Sequence, residues 1–204
     1  MEKKSEGNRD YGSLRDEELL LKAKEKDIEA FNELHRRYRK HILNYVYRLL
    51  GRYEQAEEIT QETFVRVYLN LERCEARNVA GWIYTIARNL TMNEIKKLKQ
   101  VKTVSLDEPI FDREGKEILL MDAVADEKGE EAHRREWEKR VQEAINSLPV
   151  KYREVMVLCG IQELSYEEAA KILNCSVRNV AVRLFRARKM LKELFFGKEE
   201  KKDV

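Results

Sequence analysis

Ser165–Leu191, SYEEAAKILNCSVRNVAVRLFRARKML, is the stretch whose reading decides the fold. Ser165 and Glu168 make an S-x-x-E capping box, which starts a helix. Ala169 and Ala170 are small enough for a second helix to approach closely. Asn174 suits a turn or C-cap position with left-handed backbone, and Ser176 is a further N-cap. Beyond it Val177, Val180, Leu184, Ala187 and Leu191 recur at intervals of three and four and predict a buried stripe. Arg178, Val182, Phe185, Arg186 and Lys189 fall on the other side, with Asn179 and Arg183 at the flanks. A solvated basic helix is common. A capped helix, a tight turn and a second capped helix with a basic outer side is how a protein presents a helix to the DNA major groove.

In that arrangement the first residues of the second helix meet base edges and the later ones meet phosphates. Arg178 and Asn179 are the base-reading candidates, because Arg bridges guanine and Asn bridges adenine. Ser176 and Val182 complete the surface. Arg183, Arg186, Arg188 and Lys189 are candidates for phosphate neutralisation.

Working back along the chain, Ser147–Pro149 restarts a helix that uses Val155, Leu158 and Cys159. Before it, Trp137, Val141 and Ile145 carry a helical pattern from about Ala132. Residues 101–131 differ: Asp107, Glu108, Asp112, Glu114, Glu117, Asp122, Asp126, Glu127, Glu130 and Glu131 outnumber the bases, periodicity is lost, and Pro109 and Gly115 interrupt. This predicts an acidic, extended linker. The N-terminal side is helical again. A short helix is expected over Asp16–Lys26, and a long one carries Ile28, Phe31, Leu34, Tyr38, Ile42, Tyr45 and Leu49 on one face and stops at Gly51. A third is expected over Glu54–Leu71, a loop over 72–78, and a fourth helix over Val79–Gln100 with Ile83, Ile86, Ala87 and Leu90 inside.

The fold class expected is therefore all-α: two small helical domains joined by an acidic linker, the C-terminal one a helix-turn-helix. The expected boundaries are a flexible N-terminus 1–15, a first domain 16–100, the linker 101–131, a second domain 132–195 and a flexible tail 196–204. Only 2 Pro and 8 Gly in 204 residues agree with helices, and 43% apolar residues suffice for packed cores. The net charge of +2 hides how acidic and basic residues are segregated. No apolar run reaches a membrane span, and MEKKSEGNRDYG lacks a signal-peptide core, so a cytoplasmic protein without membrane insertion is expected. Cys74, Cys159 and Cys175 form no CxxC or zinc spacing, and reduced thiols are expected. His35 and His41 sit on an Arg-rich stretch and read as solvated. No nucleophile–base pair, metal cluster or phosphate-binding Gly loop argues for an enzyme, a cofactor or a metal site.

The fourth N-terminal helix has a polar and basic face of its own. Asn89, Asn93, Lys96 and Gln100 fall at helical spacing beside Arg88, Lys97 and Lys99. The polar loop before it offers Arg77 and Asn78, and Trp82 and Tyr84 add aromatic surface close by. Basic grooves with pockets for unstacked bases grip single-stranded DNA; core packing for Trp82 and an ordinary polar face for the asparagines are the alternatives.

Six segments in order then resemble one family: Ala30–Leu50, Ala56–Leu71, Gly81–Lys97, Ile145–Leu158, Leu164–Ser176 and Val180–Leu191. The chain resembles the extracytoplasmic-function (ECF) sigma factors of bacterial RNA polymerase from about Asp16 to Leu194. The resemblance implies that the first domain binds the beta-prime clamp helices of core RNA polymerase and recognises and melts the minus-ten element. It implies that the second binds the minus-thirty-five element as duplex and meets the beta flap. The linker would thread toward the active-site channel. The clamp-binding motif falls on Glu57, Glu58, Gln61 and Glu62. The loop residues Cys74, Glu75, Arg77 and Asn78 would hold a flipped base, and Arg88, Asn89, Asn93, Lys96 and Lys97 would line the opened strands. Partners implied are core polymerase, promoter DNA and an anti-sigma factor. Val79 replaces a frequent Phe, and Arg178 and Ala181 depart from the common residues on the reading helix, which bears on the promoter sequence rather than on the function. The rival expectation is a helix-turn-helix regulator that acts without being a polymerase subunit.

Overall fold

Asp27 sets the first long helix, its carboxylate accepting from the Ala30 backbone N–H at 3.2 Å. The computed structural model describes residues 10–104 and 128–196. Residues 105–127, most of the expected acidic linker, lie outside the described residues, as do residues 1–9 and 197–204 of the two expected tails. Among the described residues every regular element is helical: α1 Asp16–Lys24, α2 Ile28–Leu50, α3 Tyr53–Leu69, α4 Val79–Val104, α5 Lys128–Ser147, α6 Val150–Val155, α7 Tyr166–Leu173 and α8 Val177–Phe196.

In the first half α2 is the hub, packed on α1, α3 and α4. Leu34, Ile42, Tyr45, Val46 and Leu49 bury its inner stripe, and Leu19, Leu20, Ala56, Phe64, Val67, Ile83 and Ala87 close the core around it. Gly51 ends α2 in the left-handed conformation, φ 72°, a conformation that a side chain makes costly. In the second half α7 and α8 pack on each other, and α6 and α5 support α8. Ser165 Oγ accepts from the Glu168 N–H while the Glu168 carboxylate accepts from the Ser165 N–H at 2.8 Å, so the capping box forms in both directions. Asn174 is left-handed, φ 49° and ψ 55°, and Ser176 Oγ caps α8 through the Asn179 N–H.

The structure departs from expectation where packing outweighs local pattern. Ile28 and Val177 belong to the right stripes but lie in the first turn of their helices, beyond the reach of the core, and are exposed. α3 stops at Leu69, two residues short of the expected end, and short 3₁₀ turns form at Leu71–Arg73 and Ala76–Asn78. α4 continues to Val104, and α5 begins at Lys128, inside the stretch expected as linker. Its first turns, KGEEAHRRE, are rich in helix formers and need no apolar stripe to be helical. After α6 the chain continues as a wider π-helix, Met156–Ile161. That wider turn brings the neighbours Val157 and Leu158 both into the core, while Cys159 is only half-buried. His35 is half-buried rather than fully solvated: its ring stands edge-on to Phe64 at 4.6 Å, and burial lowers its pKa. Tyr84, expected at the surface, is buried against Tyr45 at 5.4 Å, and Trp82 packs half-buried on the core.

Candidate nucleic-acid and polymerase interfaces

Val180, Leu184 and Ala187 anchor α8 inward. Their burial turns Arg178, Asn179, Val182, Arg186 and Lys189 to solvent; Ser176 is exposed at the cap and Arg183 is half-buried. The Arg186 guanidinium faces the Tyr152 hydroxyl of α6 and lowers its pKa. Phe185 stands on the same outer side and is 70% exposed. Its sequence signal is a large apolar side chain amid arginines on the outer side of the helix.

On α4 the residues Asn89, Asn93, Lys96 and Lys97 are exposed along one side. Asn89, Asn93 and Lys96, with Arg88 and Met92, line an open cleft of ≈ 530 Å³ whose far wall includes Val150 of α6; Lys97 lies outside it. Arg88 differs from its neighbours. Its Nε lies 2.6 Å from Glu154 Oε1, across from the second half of the chain. In the preceding turns Glu75 and Arg77 are exposed and Asn78 is half-buried. Cys74 must be corrected as a base-capture side chain: its thiol is 2% exposed, and burial raises its pKa to about 11. What it contributes is backbone, since Lys24 Nζ donates to its carbonyl at 2.8 Å and ties the turns to α1.

On α3, Glu58, Gln61 and Glu62 are exposed, and Glu62 pairs with Arg66 at 2.7 Å. Glu57 is half-buried, accepts from the Tyr53 hydroxyl at 3.0 Å and faces Arg39 at 3.6 Å. The row does not stop there. Val65, Tyr68 and Leu69 continue it at helical spacing and are exposed, Leu69 by 72%. These three carry neither charge nor amide, so nothing in the sequence singles them out as part of the row. The surface is thus acidic and amide at one end and apolar at the other.

Residues 34–101 match the Sigma-70 region 2 family and residues 138–191 match Sigma-70, region 4. The chain is 35% identical over 178 residues to the ECF RNA polymerase sigma factor SigW of Bacillus subtilis, covering 85% of this chain and 93% of that one. The chain belongs to the ECF RNA polymerase sigma factors. A second relative, the ECF sigma factor SigM of B. subtilis, is 30% identical over 166 residues, 81% of this chain and 95% of that one. Among solved structures, CnrH in complex with the cytosolic domain of CnrY shares the fold, with TM-score 0.66 and 24% identity, covering 88% of this chain and 96% of that one. The sigma factor RpoE of Bartonella quintana, solved with the anti-sigma factor NepR, gives 0.61 at 22% identity, covering 85% and 98%. As an ECF sigma factor the chain associates with RNA polymerase and directs transcription initiation at promoter DNA; a regulator independent of polymerase is not favoured. No helix among the described residues is long and apolar enough to cross a membrane.

Proposed function

We propose that the two halves of this sigma factor divide promoter recognition at the residues described above. Glu75, Arg77 and Asn78, with the backbone of Cys74, receive an unstacked base of the minus-ten element. Arg88, Asn89, Asn93, Lys96 and Lys97 follow the opened strand's phosphates and base edges. Arg178, Asn179 and Val182 read the minus-thirty-five duplex, and Ser176, Arg183, Arg186 and Lys189 hold its backbone. Glu57, Glu58, Gln61 and Glu62 meet basic groups of the polymerase clamp helices, and Val65, Tyr68 and Leu69 supply the apolar part of that contact.

What carries this reading is the outward row on α8, from Arg178 to Lys189, held in place by the buried Val180, Leu184 and Ala187. The protein performs no chemistry in this account. It works by differential binding: the free energy lost on opening base pairs is offset by base capture and phosphate contacts. It acts in the cytoplasm, where polymerase is, and an anti-sigma protein holds it inactive; the relatives solved with such partners support that expectation. The test is run-off transcription with purified core polymerase on a promoter library. Initiation from a defined subset of templates, only when this protein is added, is expected; no dependence on it would end the assignment.

A further inference from the structure

We propose that Lys24 is a positioning residue for the minus-ten element: its ammonium holds the turns between α3 and α4 in the conformation that discriminates the captured base. This rests on the reading of Glu75, Arg77 and Asn78 as base-receiving residues made above. The Cys74 N–H closes the first 3₁₀ turn on the Leu71 carbonyl at 3.0 Å, and the Asn78 N–H closes the second on the Glu75 carbonyl at 3.0 Å. The peptide unit from Cys74 to Glu75 lies between the turns and takes part in neither bond. Both residues are extended there, Cys74 at φ −78° and ψ 127°, Glu75 at φ −79° and ψ 131°. A trans peptide is rigid, but the dihedrals on either side of it are soft. Rotation at this joint swings Arg77 and Asn78 as a body while both turns stay intact.

Lys24 acts at that joint. Its Nζ donates to the Cys74 carbonyl at 2.8 Å and reaches the Glu72 carbonyl, on the first turn, at 3.5 Å. One ammonium thus touches the joint and the turn before it. A charged donor makes a hydrogen bond about twice as strong as a neutral one. Lys24 is half-buried, so water competes less for the bond. The helix from which it reaches is firm. Leu19, Leu20 and Ala23 of α1 are buried. Behind Lys24 the chain is closed by Lys26, left-handed at φ 67°, and by the Asp27 N–H on the Lys22 carbonyl at 3.1 Å.

Leu71 and Val79 are buried and fix the ends of the segment. The Cys74 side chain is buried too, so the joint is gripped by its side chain and by its carbonyl. Telling one base from another needs polar groups held to within about 0.5 Å. A pocket on a loose joint adapts to any base and loses ordering entropy at each capture. Without the clasp, preference at the captured position falls, while the upstream reading helix and the clamp surface keep their geometry.

The test uses the full chain with core polymerase, on a template selected in the run-off experiment and on its single-base variants in both promoter elements. Lys24→Met keeps the apolar stem and removes the donors. Lys24→Arg keeps charge and donors. Lys22→Met makes the same charge change on the same helix. Hydrogen–deuterium exchange of the peptide over 71–79 reads the turns. For Lys24→Met, exchange about threefold faster is expected. Preference at one minus-ten position should weaken about fivefold, with minus-thirty-five preference and core Kd as in wild type. Lys24→Arg should restore both, and Lys22→Met should behave as wild type. If Lys24→Met loses helicity by circular dichroism, Lys24→Gln, which shortens the reach, takes its place with the same expectation. Unchanged exchange overturns the clasp. Faster exchange with wild-type minus-ten preference overturns the positioning role, and so does an equal loss at both elements, the mark of a weakened fold. Glu75→Ala and Arg77→Ala isolate the reading beneath it: if neither alters minus-ten preference, the turns are not the base pocket, and Lys24 only braces the fold.

Discussion

Arg178 stands in the first turn of α8, exposed and two residues past the cap Ser176. Arg178→Ala should weaken use of a cognate promoter by about 1–3 kcal/mol if the guanidinium makes a bidentate base contact, with preference relaxed at one upstream position. Transcription from a set of single-base promoter variants measures it; unchanged preference removes Arg178 from the base-reading set. Glu33 offers a prediction about stability. Hydrogen bonds from Arg36 and Arg37, both at 2.8 Å, hold its carboxyl down to about 2 from an ordinary 4.5. A depressed folded pKa means that the unfolded chain binds the proton first. The stabilisation is complete above about 4.5 and is lost as pH falls toward 2. Urea midpoints of Glu33→Gln should therefore be lower than wild type at pH 7, with the difference shrinking across that window.

At the scale of the element, the helix-turn-helix is nearly all local chemistry, which is why its sequence was legible. Ser165, Glu168, Asn174 and Ser176 each act on backbone within a few residues, and each takes the expected conformation or bond. Ser165→Ala should cost about 1 kcal/mol by leaving the first turn of α7 without its cap, and a thermal-denaturation series with Ser165→Thr as the conservative comparison reads it. Where the signal is not local, legibility ends. Val177 and Ile28 fit their stripes but sit past the end of the core. The π-helical turn after α6 has no pattern that announces it, so the inward face passed from Cys159 to Val157. Cys74 looked like surface because Arg73 and Glu75 flank it, and Tyr84 because it is one position off the Ile83–Ala87 stripe; contacts from other helices bury them. The acidic half of the α3 surface was readable and its apolar half was not, since Val65, Tyr68 and Leu69 carry no charge or amide and only their exposure marks them.

For the whole molecule, two surfaces have to be available at once to different partners. The Glu58, Gln61 and Glu62 side of α3 is exposed with the two halves of the chain packed together. Gln61→Ala with Glu62→Ala should weaken binding to core enzyme by about 1–2 kcal/mol, near tenfold in Kd, while helicity is kept. Competition for core against a labelled sigma factor measures this; an unaltered Kd would move the contact elsewhere. The union of the halves is the least legible feature of all, because Arg88 and Glu154 are 66 residues apart with no local code linking them.

The sealed thiol of Cys74 has a practical consequence. With its pKa near 11, only on the order of one thiol in a thousand is ionised at pH 8, and alkylating reagents need the thiolate. Labelling must wait until the turns around residue 74 come away from α1. In a protein whose Cys159 and Cys175 are serine, the rate of a single alkylation then becomes a stopwatch for that excursion, timing the breathing of the turns between α3 and α4 without any dye or spin label.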